Sequence, residues 1–141
     1  MLAVIRIRGT VGLRKELKDA FRMLNLEKRN RCVVVPEKPE FTGMVMKVKD
    51  FVTWGTVSDD VLAELVRKRA RTERNEKLEE GKVKEAVGKI KEFKTREAGL
   101  KPYFRLSPPS SGFKGSVKQH YPKGAVGNRG DKINELLKRM M

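Results

Sequence analysis

Arg31-Cys32-Val33-Val34-Val35-Pro36 is the stretch on which the architecture turns. Its residues after Arg31 are apolar at every position, so both faces of an extended segment would be buried, as in a strand with neighbours on each side. Pro36 stops it. Upstream, residues 2–7 read as a second strand. Ala3, Ile5 and Ile7 lie on one face, with Val4, Arg6 and Arg8 on the other, because side chains alternate with period two. Gly9-Thr10-Val11-Gly12 is a turn. The 3–4 spacing of Leu13, Leu17, Ala20, Phe21 and Leu24 then predicts a helix over 13–24. Downstream, 41–50 reads as a helix with Met44, Val45 and Val48 inward. Phe51-Val52-Thr53-Trp54-Gly55-Thr56-Val57 has strand composition.

The order is β-α-β-α-β, complete by residue 57, and the fold class is α/β (α+β) with a small three-stranded sheet. Right-handed crossovers place both helices on one face. The other face then needs cover from later helices or from a partner. In the next part, 58–98, Ser58 suits an N-cap, with Asp59 and Asp60 in the first turn. Val61, Leu62, Leu65 and Val66 form a stripe, and Arg67-Lys68-Arg69-Ala70-Arg71 makes a cationic C-terminus. Between 72 and 98, Val83, Ala86, Val87, Ile90 and Phe93 predict one amphipathic helix, weakened by Gly88. The last part, 99–141, holds a basic Gly/Pro-rich extension and a final helix capped by Asp131, with Ile133, Leu136, Leu137 and Met140 inward.

Charge is the strongest functional signal. The 141 residues carry 33 Lys+Arg against 18 Asp+Glu, a formal +15. Residues 1–57 hold 12 basic and 6 acidic residues, 58–98 hold 12 and 10, and 99–141 hold 9 and 2, so the C-terminal part is the most one-sided. No acid lies between Glu97 and Asp131, where Ser107-Pro108-Pro109-Ser110-Ser111-Gly112 is followed by Gly115, Gly124, Gly127 and Gly130. Such a segment buries too little to order itself, and its self-repulsion calls for a polyanion. The expectation is disorder across the extension alone and order on a nucleic acid. Interleaved Tyr103, Phe104, Phe113 and Tyr121 argue against a mere solubility tail.

Other classes fall away. No apolar run approaches the ~18–20 residues of a membrane span, and the first residues lack the pattern of a secretory signal. One cysteine, Cys32, excludes an internal disulfide, and one histidine, His120, leaves little for a metal. His120 has no local acid and Cys32 sits in an apolar run, so no nucleophile, base and orienting group assemble. No P-loop, dinucleotide fingerprint or metal-ligand spacing occurs; no enzyme, cofactor or small-molecule substrate is expected. Gly9-Thr10-Val11-Gly12 formally matches the GXXG loop of KH domains, but it joins a strand to a helix and reads as a tight turn, next to free helix amides flanked by Arg8, Arg14 and Lys15. Gly112-Phe113-Lys114-Gly115-Ser116-Val117-Lys118 is loosely similar to an RNA-recognition box without its strand context. It offers one aromatic, lysines and a backbone that can approach phosphates. Trp54 is read as core. A generic nucleic-acid-compacting protein or RNA chaperone, and a small acylphosphatase-type hydrolase on a related sandwich, are the competing readings; the hydrolase would need a phosphate-cradling loop that is not recognisable.

Several stretches together carry a resemblance. Arg6-Ile7-Arg8-Gly9-Thr10-Val11-Gly12, Cys32-Val33-Val34-Val35-Pro36-Glu37, Gly43-Met44 with Lys47-Val48-Lys49-Asp50, and Trp54-Gly55-Thr56-Val57 come first. Leu62-Ala63-Glu64-Leu65, Arg67-Lys68-Arg69, Phe104-Arg105-Leu106-Ser107-Pro108-Pro109, Gly112-Phe113-Lys114-Gly115-Ser116 and Asn128-Arg129-Gly130-Asp131-Lys132-Ile133-Asn134-Glu135-Leu136-Leu137 follow. The chain resembles archaeal large-subunit ribosomal proteins of the L-thirty family, whose eukaryotic relative is called L-seven, over about three quarters of its length; 72–98 matches no family pattern. The resemblance implies a core shared with shorter bacterial proteins and a C-terminal half belonging to the archaeal and eukaryotic extension. It also implies a cytoplasmic structural constituent of the large subunit that binds large-subunit ribosomal RNA, near the 5S RNA and among neighbouring ribosomal proteins.

On that reading the candidate phosphate contacts are Arg6, Arg8, Arg14, Lys15, Arg31, Lys47, Arg105, Lys114, Lys118 and Arg129. Phe113, His120 and Tyr121 are candidates for stacking or sugar contacts, and Gly112, Gly115, Gly127 and Gly130 for close backbone approach.

Overall fold

A computed structural model describes all 141 residues. Strand β1 (Leu2–Arg6) is central, flanked by β2 (Arg31–Val35) and β3 (Val52–Thr56), both antiparallel to it. Helix α1 (Lys15–Met23) joins β1 to β2, and α2 (Pro39–Lys47) joins β2 to β3. Because both neighbours oppose β1, only the β2-α2-β3 link is a parallel crossover; α1 returns to the end of the sheet it left. Pro39 starts α2 earlier than the apolar spacing indicates, since proline suits the first helical turn.

The sheet continues past the expected three strands. Its order is β4-β2-β1-β3-β6-β5, with β4 (Phe104–Arg105), β5 (Ser116–His120) and β6 (Gly124–Asn128) all drawn from the basic extension. Thus the segment expected to lack order alone supplies half of the strands. Ala125 and Val126 are fully buried in β6, beside β3, whereas every residue of β5 is exposed. The physical reason is glycine without flexibility: at Gly124 a Cβ would lie 1.9 Å from the Gln119 carbonyl oxygen, so the chain packs where a side chain could not.

Both faces are covered. As expected, α1 and α2 lie on one face, over a core of Val4, Phe21, Leu24, Val33, Val45 and Trp54 among others. The opposite face is closed by later helices rather than by a partner: α3 (Asp59–Arg69), α4 (Val83–Lys91) and α5 (Ile133–Met140) pack over Ala3, Ile5, Cys32 and Val34. Cys32, wholly enclosed there, has its thiol pushed up to about 12 by burial. Helix α4 places Ala86 and Ile90 inward as their spacing requires, but ends before Phe93, whose φ is 62°.

Two expected caps are differently employed. Ser58 precedes α3 without a side-chain cap, its amide donating to Asn134 Oδ1 at 3.1 Å. Asp131 lies in a 3-10 turn, Gly130–Lys132, and accepts from the Thr56 hydroxyl at 2.5 Å. Both therefore fasten the start of α5 to the end of β3, a junction made possible by Gly55, where a Cβ would stand 2.0 Å from the Gly130 carbonyl oxygen.

Candidate nucleic-acid interface

The ladder register sets many cations at one end of the sheet. Arg6 pairs with Val52, Ile5 with Cys32, and Arg31 with Arg105, so the exit of β1 and the entries of β2 and β3 share that end with β4. Helices α3 and α5 finish there too. Ser107 N donates to the Met140 carbonyl at 3.0 Å, and the Arg69 guanidinium to the main-chain oxygen of Met141 at 3.1 Å. Arg8, Arg29, Arg69, Arg105 and Arg139 consequently gather from five separate stretches of sequence.

Arg6 organises this end from within. It is fully buried, and its guanidinium donates to the carbonyls of Leu26 (2.7 Å), Glu27 (2.8 Å), Arg8 (2.9 Å) and Gly9 (3.0 Å). Its carbon Cζ sits 3.8 Å from the Phe21 ring centroid. Desolvation, with Arg29 and Arg31 nearby, lowers its pKa, and four oxygen partners still hold the charge in place. The alternation that puts Arg6 on the α1 side of the sheet was legible; the loop that wraps it was not. Arg31 is also buried. It donates to Asn25 O and to Glu27 Oε2, each at 3.4 Å, and lies 4.0 Å over the Tyr103 ring, leaving Nε without a partner.

A cleft of about 520 Å³ is lined by Ile7, Arg8, Gly9, Arg29, Asn30, Pro108, Phe113 and Val117. Arg8 is held 4.9 Å over Phe51 while donating to Asp50 O at 3.2 Å. This arrangement brings two sequence-predicted residues, Arg8 and Phe113, to a single wall. Exposed Lys118 projects from β5 next to it in sequence, and His120 Nε2 meets Asp50 Oδ1 at 2.8 Å. A second cleft, about 290 Å³, collects Lys114, Tyr121 and Arg129 with Lys132, Glu135 and Arg139. Arg129 is anchored by Thr53 Oγ1 at 3.0 Å and Ala125 O at 2.9 Å, over the Tyr121 ring at 5.0 Å. Desolvation lowers its pKa as well, Tyr121 opposing.

The remaining candidates lie apart. Arg14 and Lys15 are exposed at the start of α1, and Lys47 in the last turn of α2. Gly112 is exposed with open space where a Cβ would stand, as at Gly130, but Gly115 and Gly127 are closed off by Lys123 O and by the His120 ring.

A third cleft, about 340 Å³, is lined by Arg69, Arg71, Asn75, Lys101, Tyr103 and Arg105. Of these only Arg105 was a candidate phosphate contact from sequence, and Tyr103 was noted among the interleaved aromatics. Arg69 and Arg71 read as a helix C-terminus favouring the dipole, and Lys101 as part of a diffuse charge excess. Nothing local in sequence reveals that the Arg71–Lys77 and Thr72–Leu100 bridges fold these pieces together.

No group of three or more His, Cys, Asp or Glu side chains is placed to hold a metal, and no helix is long and apolar enough to cross a membrane. This α+β sandwich brings anchored arginines, exposed lysines and aromatics together around clefts, the kind of surface that suits a polyanion. Comparison with known proteins narrows the class. Residues 2–52 match the family model Ribosomal protein L30p/L7e. The chain is 41% identical to large ribosomal subunit protein uL30 of Methanosphaera stadtmanae, with all of both chains covered. It is 43% identical to that of Archaeoglobus fulgidus (99% of each chain covered) and 38% to that of Nanoarchaeum equitans (99% of this chain and 97% of the relative). The chain belongs to the L30p/L7e ribosomal protein family.

Proposed function

We propose that this chain is a structural constituent of the large ribosomal subunit, binding large-subunit ribosomal RNA through the cationic end of its sheet and supporting translation in the cytoplasm. Full-length similarity to uL30 proteins carries the first part. Three clefts, holding Arg105, Arg8 with Phe113, and Lys114 with Tyr121 and Arg129, support the second, with exposed Lys118 beside Val117 of the Arg8 cleft. Fixed arginines match phosphate geometry in bidentate fashion, lysines add neutralisation, and the aromatics offer stacking surfaces. Arg6 and Arg31 act on RNA indirectly, by holding the loops that carry Arg8, Arg29 and Tyr103. Arg14, Lys15 and Lys47 form an outer fringe on the α1 and α2 side, where the free amides at the start of α1 also suit phosphate. Gly112 provides the open backbone approach. A position near the 5S RNA and beside other ribosomal proteins completes the proposal; its support is the family resemblance.

Sedimentation of tagged protein in lysate, repeated after a high-salt wash, tests this. Stoichiometric migration with the large subunit through the wash is expected. Migration with bulk nucleic acid, lost as salt rises, would instead favour a generic nucleic-acid-compacting or chaperone role.

A further inference from the structure

From the cleft between the end of α3 and β4, we infer a dedicated phosphodiester site for a non-helical stretch of RNA, separate from the Arg8–Phe113 cleft, so that the protein joins two RNA segments. The inference rests on the ribosomal reading above. Its first support is selective pairing. In the neighbouring charged segment Arg67 meets Glu80 at 2.7 Å, Lys68 meets Glu64 at 2.6 Å, Lys89 meets Glu85 at 2.6 Å and Lys91 meets Asp59 at 2.8 Å. By contrast Arg71, Lys101 and Arg105 meet no Asp or Glu, and no acidic side chain lines the cleft they share with Arg69. Three cations brought together without an acidic side chain repel one another, and an anionic ligand relieves that repulsion.

The second support is fixed geometry. Lys101 N donates to the Arg71 carbonyl at 3.0 Å, tying the two backbones. Arg69 is held by Met141 O and by Ser107 Oγ at 2.8 Å, and the Lys101 ammonium donates to Asn75 Oδ1. Arg69 and Lys101 therefore have little side-chain entropy left to lose on binding. Tyr103, with one ring face covered by Arg31 at 4.0 Å, contributes an aromatic wall. A concave, cationic space of about 340 Å³ with an aromatic side matches one splayed nucleotide better than the convex backbone of an A-form duplex. Arg31 also pairs with Arg105 across the β2–β4 ladder, which makes the cleft continuous with the proposed interface.

The test compares the full-length chain with Arg71→Gln/Lys101→Gln, and with Arg67→Gln/Lys68→Gln as a charge-matched control whose cations are already paired. Binding to a mixed-sequence single-stranded oligoribonucleotide is measured across salt. The first double variant is expected to flatten the slope of log affinity against log salt by about 1.4, and the control to leave it within error. Equal slopes for the two double variants would overturn the site. Within large subunits, hydroxyl-radical probing should show one protected rRNA stretch lost in Arg71→Gln/Lys101→Gln while the others persist. Unchanged rRNA protection, or a crosslink from Lys101 to a protein acid instead of RNA, would also overturn it. Failure of the wild-type protein to sediment with the subunit would strike the ribosomal reading itself, a separate outcome. Unfolding midpoints of both variants guard against a folding defect.

Discussion

Replacing Arg6 with methionine keeps an unbranched chain beside Phe21 but removes every donor from the loops at the cationic end. Four carbonyl oxygens then lose a charged partner, of which the bond to Leu26 O is the fully buried one. Stranding a buried acceptor costs about 1–3 kcal/mol, and a hydrogen bond from a charged donor contributes about 1.5–3 kcal/mol. Stacking on Phe21 adds about 0.5–2 kcal/mol. Opposing these, methionine abolishes the several kcal/mol, roughly, of desolvation borne by a buried cation, and the three part-buried carbonyls recover water. The net expectation is a loss of about 2–4 kcal/mol, a large share of the roughly 5–15 kcal/mol typical of a domain. Arg6→Lys should recover only part of it, because an ammonium cannot span four acceptors as a guanidinium does. Urea unfolding followed by the fluorescence of Trp54, which packs in the same core as Phe21, reads the effect directly. Exposed Arg14→Met should stay within about 0.5 kcal/mol of the parent. If Arg6→Met unfolded at the parental urea concentration yet bound RNA more weakly, Arg6 would be a direct RNA contact and the account of a buried organiser would fail.

Four further outcomes are expected. Gly55→Ala forces a Cβ against Gly130 O and should cost about 3 kcal/mol or more, read as a lowered unfolding midpoint; a neutral result would mean that α5 shifts freely over β3. Cys32 stays protonated in the native state up to about pH 12, whereas the unfolded thiol ionises above its ordinary 9.0. Stability should therefore fall from pH 9 upward by about 1.4 kcal/mol per pH unit from this group, seen as a shrinking advantage of wild type over Cys32→Ala. Lys114→Gln/Lys118→Gln should weaken binding to single-stranded RNA and flatten its salt slope by about 1.4, with an unchanged urea midpoint. In the free protein, hydrogen exchange should be slow at Ala125, Val126 and Gly127 and fast along β5; uniform fast exchange would restore the picture of an extension ordered only by RNA.

The first three strands were legible because their apolar runs and alternation obey the period of a sheet without help from distant residues. Helices α3 and α5 were legible for the same reason at helical spacing. The strands β4, β5 and β6 were not. Their glycines and lysines have no strand composition, and Gly124 and Gly127 belong to a strand only because Gln119, His120 and β3 crowd them. The candidate site divides along the same line. Charge excess pointed to the C-terminal part, and the structure sets Phe113, Lys114, Tyr121 and Arg129 into two clefts there. What periodicity cannot show is which arginines are spent inward. Arg6 and Arg8 are identical in type and lie on one face of the reading, yet the first is enclosed and the second lines a cleft. Likewise the partner that neutralises Arg67, and the lack of one for Arg71, depend on a fold between residues remote in sequence.

The placement of β1 between β2 and β3 has a temporal side. When residues 1–57 have left the peptide tunnel, all three strands and the two helices of one face exist, but Ala3, Ile5, Cys32 and Val34 look onto nothing. The helix that seals them last, α5, spans Ile133–Met140. At about 5–20 residues per second, that apolar face stays incompletely covered for roughly 4–17 s while α3, α4 and then α5 are made. Through that interval the excess of positive charge, already +6 over those first residues, sets like charges on neighbouring unfinished copies and opposes their contact.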